Sequence, residues 1–214
     1  LFAFGAKPSV GLLLPVLLCA DVAAVLLYRR ETQWQPIRRL LPAACVGLAV
    51  GFLLFDAIPG EQFARLVGVL LLVLTAAHFL RERVTGQQSE ADVERMGRHW
   101  AFRGGLGLLV GTATMLANAA GPIGSFYLMA LRLPKLAFLG TAAWFFFILN
   151  LLKLPLQASL GILTLSSLGW SLSFGAFAIG GAMLGPVVAR RLPQRAFSFW
   201  IWLMVVASGV KLIW

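Results

Sequence analysis

The feature that most restricts this chain is a succession of long apolar runs, separated by short gaps that hold nearly all of its basic residues. Crossing about 30 Å of hydrocarbon takes ~20 apolar residues in a helix. Runs near that length fall at about 10–28, 40–55, 63–80, 136–152, 168–189 and 196–214. The second is short but can extend into its flanks. With 60% of 214 residues apolar and 12% charged, there is too little charge for a water-facing surface, which needs roughly a quarter to a third. The expected fold class is therefore all-α and polytopic in a membrane. A soluble globule, a disordered chain and a disulfide scaffold are excluded. Cys19 and Cys45 both fall within apolar runs and are read as buried, unpaired thiols.

A net charge of +10 would suggest a nucleic-acid partner in a soluble protein. Confined to the gaps, the same charge instead reports orientation, and no nucleic acid is called for. Arg29, Arg30, Arg38 and Arg39 follow the first run. Arg81, Arg83, Arg95, Arg98 and Arg103 follow the third, Arg132 and Lys135 precede the fourth, and Arg190, Arg191 and Arg195 separate the last two. Placing all of these on the cytoplasmic side puts 14 of 18 basic residues inside. The gap 56–62, with Asp56 and Glu61 and no lysine or arginine, then faces out. Trp34, Trp100 and Trp200 fall near the inner interface, Trp170 and Trp214 near the outer one, as aromatic belts should.

Residues 47–80 align with 181–214 at an offset of 134, pairing Gly47 with Gly181, Gly51 with Gly185, Ile58-Pro59 with Leu192-Pro193 and Phe63 with Phe197. Asp56 and Glu61 in one copy stand where Arg190 and Arg195 stand in the other, so equivalent gaps lie on opposite sides of the membrane. That pattern marks two inverted-topology repeats, the architecture of many secondary transporters. The expected division is a first repeat over 1–80, a cytoplasmic linker over 81–100 and a second repeat over 101–214. Upstream, an offset near 129 pairs Gly11 with Gly140. The counterpart of residues 103–129 then falls before Leu1, so the repeat predicts a preceding half-hairpin of about 25–30 residues. The glycine pairs Gly47/Gly51 and Gly181/Gly185 are read first as helix-packing contacts.

Residues 103–133 form a segment interrupted at Asn118-Ala119-Ala120-Gly121-Pro122. Each part is too short to cross comfortably, which puts irregular backbone deep in the membrane, where it must line protein or a wet cavity. Gly121 is read as the N-cap and Pro122 as the first helical residue. The amides of Ile123, Gly124 and Ser125 would then be free at the positive end of a helix dipole, an anion site. Asn118 is a donor on the opposite rim, with Thr112 and Thr114 further along. The alternative is a proline kink whose polar residues are satisfied by neighbouring helices.

Asp21 lies eight residues before Arg29, ~12 Å into the membrane by helical rise. Ionisable groups at that depth are candidates for function. Beside an anion site, Asp21 must be paired with a base or protonated as the anion binds, which would couple protons to transport. The alternative is a structural ion pair or hydrogen bond. Asn150 and Lys153 share a helix face at i, i+3. Lys153 is expected to snorkel to the interface, the alternative being a vestibule cation that attracts anions. No HExxH, GxSxG, CxxC or Walker pattern occurs, so neither an enzyme nor a cofactor is called for.

Residues 118–155, NAAGPIGSFYLMALRLPKLAFLGTAAWFFFILNLLKLP, resemble the second-half signature of the sulfite exporter TauE/SafE family, and PVLLCADVAAVLLYRRETQW, residues 15–34, is similar to its first half. The resemblance implies a multi-pass transporter of small sulfur-containing anions (sulfite, thiosulfate or organosulfonates) in the bacterial cytoplasmic membrane. Its matching positions here are Asn118, Gly121, Pro122, Thr141, Asn150 and Lys153. The leading expectation is a secondary transporter whose substrate contacts come from Thr112, Asn118, Gly121, Ile123, Gly124, Ser125, Thr141, Asn150 and Lys153, with Asp21 as proton carrier. Partners are the anion and the lipid bilayer, with a homo-oligomer possible. A membrane scaffold or assembly subunit and an anion channel are the alternatives.

Overall fold

The computed structural model describes residues 6–85, 99–163 and 165–214. Among these the chain is all helix: α1 (Ala6–Tyr28), α2 (Trp34–Leu53), α3 (Gly60–Thr85), α4 (Trp100–Ala117), α5 (Ala120–Ala130), α6 (Lys135–Ser159), α7 (Leu165–Arg191) and α8 (Gln194–Ile213), with a single 3-10 turn at Arg29–Glu31. The six expected crossings coincide with α1, α2, α3, α6, α7 and α8, the second running two residues past the end of α2 and the sixth one residue past the end of α8. Of the described helices, Trp34–Leu53, Lys135–Ser159 and Gln194–Ile213 are long and apolar enough to cross a membrane. The protein is an all-α polytopic membrane protein. Prolines 15, 42, 155 and 186 lie inside α1, α2, α6 and α7, where packed membrane helices tolerate them. Most of the expected 81–100 linker, residues 86–98, lies outside the described residues. So does the side chain of Trp170.

The chain forms two compact units, Leu1–Ile37 with Lys135–Gln194, and Arg38–Pro134 with Arg195–Trp214. Each takes segments from both sides of the central linker, so neither unit is one of the sequence halves.

In the first unit, α1 packs against α6 and α7. α1 and α6 run antiparallel. A side chain at Gly11 would strike the carbonyl of Ile162, just past the end of α6. One at Gly140, near the start of α6, would meet the Tyr28 carbonyl at 2.7 Å and the Thr32 amide at 3.1 Å, at the far end of α1. Two glycines thus let each helix accept the turn that follows the other. Cys19 is a free thiol packed against Gly175 of α7.

The second unit is built on a glycine seam. Gly47 and Gly51 of α2 lie on Leu108, Thr112 and Met115 of α4, and Gly107 and Gly111 of α4 lie on Leu40, Ala43, Ala44 and Leu48 of α2. Small residues on both faces bring the backbones into contact, the packing expected for the first glycine pair. The second pair differs: Gly181 has open space where a side chain would stand, while Gly185 lies against the Tyr28 hydroxyl. Phe126 of α5 and Phe79 of α3 both meet the Trp202 ring of α8 edge-on. Cys45 is the second free thiol.

Candidate functional site

The candidate residues divide between the two units. Thr112, Asn118, Gly121, Ile123, Gly124 and Ser125 belong to the second, and Asp21, Thr141, Asn150 and Lys153 to the first.

In the second unit the break between α4 and α5 is only two residues long. Asn118 ends α4 in the left-handed conformation, with φ 51° and ψ 29°. Asparagine tolerates that region better than other side chains because its amide finds local partners. Its N–H closes on the Thr114 carbonyl at 3.2 Å, and the N–H of Ala119 on that of Ala113 at 3.2 Å. The following helix starts two residues earlier than the proline suggested. Ala119 is the N-cap and Ala120 the first residue, which puts Pro122 third in the helix. Its missing N–H is costless there too, because no residue up to that position has an intrahelical acceptor.

This earlier start alters the donor set. In an α-helix each N–H points at the carbonyl four residues back, so the amides of Ile123, Gly124 and Ser125 are directed at Ala119, Ala120 and Gly121. The N–H groups left over at the positive end of α5 are those of Ala120 and Gly121. Gly121 is half-buried and has open space where a side chain would stand. Ser125 is half-buried, while Ile123 and Gly124 are buried.

Two threonines are engaged in packing. The buried Thr112 hydroxyl lies 2.9 Å from the Leu108 carbonyl of its own helix and 3.1 Å from the Gly47 carbonyl of α2, fastening the glycine seam. Thr141, with no exposed surface, accepts the Gln33 N–H at 3.0 Å. It pins the turn after α1 to α6. The sequence places Thr112 along the rim of the anion site and the family resemblance supplies Thr141, with no sign that backbone groups of other elements would reach either.

Among the described residues, the first unit buries Thr141, Asn150, Lys153 and Gln157. The Asn150 Nδ2 donates to Asp21 Oδ2 at 2.7 Å, a charge-assisted length. One turn further along α6, Lys153 has no exposed surface and interacts electrostatically with Asp21. Lys153 therefore does not snorkel. Its position near the end of an apolar run suggested a head group in the interface, but α6 continues to Ser159 and packing against α1 encloses the side chain. Asp21 is provided with both partners considered for it, a base and a hydrogen-bond donor. One residue of this face was not singled out from sequence. Gln157 is fully buried, and neither Oε1 nor Nε2 has a hydrogen-bond partner. The signal was present, since 150, 153 and 157 follow the i, i+3, i+7 spacing of one helix face.

No group of three or more His, Cys, Asp or Glu residues that could hold a metal ion occurs among the described residues. Comparison with curated proteins and with solved structures gives no match. The family model described as sulfite exporter TauE/SafE matches residues 1–212, which includes every candidate position above. Helices of membrane-crossing length, buried charge within them and a match over nearly the whole chain lead to one conclusion: this protein belongs to the sulfite exporter TauE/SafE family, a family of membrane transporters of sulfur-containing anions such as sulfite.

Proposed function

We propose that this protein is a secondary transporter carrying a small sulfur-containing anion (sulfite, thiosulfate or an organosulfonate) across the bacterial cytoplasmic membrane by alternating access, with a proton on Asp21 coupled to anion movement. The observation that carries the reading is the fully buried Lys153, held beside the Asp21–Asn150 hydrogen bond. A lysine and a carboxylate inside a membrane protein are costly, and such groups persist where they serve ion or proton pathways. Lys153 supplies the positive charge that draws an anion in. The Asp21 carboxylate opposes that charge, and taking up a proton removes the opposition. Binding of the anion and binding of the proton then favour each other.

In the second unit, the start of α5 supports anion handling by a different means. Ala120 and Gly121 offer unspent amides at the positive end of a helix, with open space at Gly121. Asn118 and Ser125 add side-chain donors, and Ile123 and Gly124 shape the turn.

The inverted-repeat reading draws support from two relations. Pro59 and Pro193 immediately precede α3 and α8, whose starts at Gly60 and Gln194 keep the offset of the glycine pairs. Asp21 and Asn150, equivalent at the offset that pairs Gly11 with Gly140, touch each other. Equivalent residues of two repeats meet only near the axis that relates them.

Purified protein in liposomes tests the reading through fluxes of sulfite, thiosulfate, sulfoacetate and acetate. The expected result is saturable transport of one or more sulfur anions in preference to acetate. Equal rates for all, or none above empty liposomes, refute it, and conductance far above a carrier's turnover replaces carrier by channel. Asp21→Asn should abolish dependence on a pH gradient; unchanged dependence removes Asp21 from coupling.

A further inference from the structure

Among the described residues of the first unit, the carboxamide of Gln157 is buried with both its donor and its acceptor unused. The residue has no exposed surface, and neither Oε1 nor Nε2 finds a partner. Buried side-chain amides are almost always satisfied, because removing them from water without a replacement bond is costly. Asn150, on the same face two turns away, follows that rule through Asp21. Gln157 does not.

Its setting indicates what it is kept for. Gln157 is four residues beyond Lys153, the spacing at which side chains on a helix are neighbours. Both are fully buried. Pro155 lies between them inside α6 and removes the N–H that would close on the Leu151 carbonyl. From the Asp21–Asn150 bond toward the Ser159 end, the buried face of α6 thus presents the amide that holds the α1 carboxylate, an ammonium group and an unused amide in turn.

We propose that Gln157 and Lys153 form a two-point subsite for a compact, singly charged sulfur oxyanion. Lys153 offsets its charge, and the Gln157 Nε2 donates to one of its oxygens. The charge count sets the substrate class. One lysine shared with one carboxylate balances a single negative charge once Asp21 carries a proton, which suits a sulfonate or hydrogen sulfite better than a dianion such as thiosulfate. Gln157 is thus a specificity-determining contact. This inference rests on the transport reading above and names the residue that recognises the oxyanion.

The test compares wild type with Gln157→Leu and Gln157→Met, using methanesulfonate and, below neutral pH where it is hydrogen sulfite, sulfite as the monoanion probes, with thiosulfate as the dianion. Flux in liposomes gives KM and kcat, and thermal unfolding without ligand gives stability. A site built to hydrogen-bond a group discriminates strongly when that bond is lost, so each variant should raise KM for the monoanions by about tenfold or more, with kcat changed much less. Because the Gln157 side chain has no hydrogen-bond partner to lose, both variants should unfold at the wild-type temperature or above it. Wild-type KM in either folded variant overturns the subsite. So does a lowered unfolding temperature with unchanged KM, which would make Gln157 purely structural. A wild-type preference for thiosulfate over methanesulfonate overturns the charge assignment. Absence of any sulfur-anion flux in the wild type overturns the transport reading itself, and the subsite with it.

Discussion

Asp21→Asn keeps the side chain's volume and its ability to accept from Asn150, but removes the charge opposite Lys153. In the native protein Asn150 donates to the carboxylate at 2.7 Å, and Lys153 is entirely enclosed. Removing one member of a buried ion pair typically costs about 3–5 kcal/mol, because the survivor is left uncompensated. Asp21 is only half-buried, so water partly relieves Lys153 and the low end, about 3 kcal/mol, is the expected loss. For a chain of this size each kcal/mol lowers the unfolding midpoint by about 2–4 °C, giving a fall of roughly 6–12 °C. Lys153→Met alone should cost less, because the remaining carboxylate keeps Asn150 as a donor. The informative protein is the double variant, Asp21→Asn with Lys153→Met. Replacing both charges by groups of similar volume is often neutral, so it should recover most of the loss while failing to transport. Thermal unfolding in detergent at pH 7, followed by tryptophan fluorescence, measures all four proteins. Strict additivity, with coupling below about 0.5 kcal/mol, would refute the claim that these charges stabilise one another.

Four further outcomes test the packing and the helix start. Gly111→Ala should destabilise by about 1–3 kcal/mol or prevent folding, since its side chain would strike the Ala44 carbonyl and lie 2.6 Å from the Leu48 amide. Gly181→Ala, made where space is open, should be neutral or stabilising by up to about 1 kcal/mol; denaturant unfolding separates the two. Thr141→Val removes the acceptor of the Gln33 N–H and should cost about 1 kcal/mol with KM unchanged; a raised KM would return Thr141 to the substrate site. Gly121→Ala meets no neighbour and should fold normally while raising KM in liposome flux, because the new methyl screens the free amides of α5. Normal KM would remove that helix start from substrate handling.

Local chemistry is written along the chain, so much of this protein is legible there. The six apolar runs predict helices because hydrocarbon demands internal hydrogen bonding over a known length. The sequence Asn118 to Pro122 announces an interruption because asparagine, glycine and proline each favour a specific departure from helix. Asp21, Asn150 and Lys153 are conspicuous as polar residues in apolar surroundings. Which groups they meet is another matter. That Asp21 bonds Asn150, that Lys153 is enclosed, that Thr112 and Thr141 are occupied by the Gly47 carbonyl and the Gln33 amide, and that Gln157 has no partner were all decided by the packing of one helix on another. A residue's own periodicity records which face it lies on and what transfer from water costs. Its partner is chosen by contacts between segments more than a hundred residues apart, as Asp21 and Asn150 are, and only close-packed tertiary structure brings those into register.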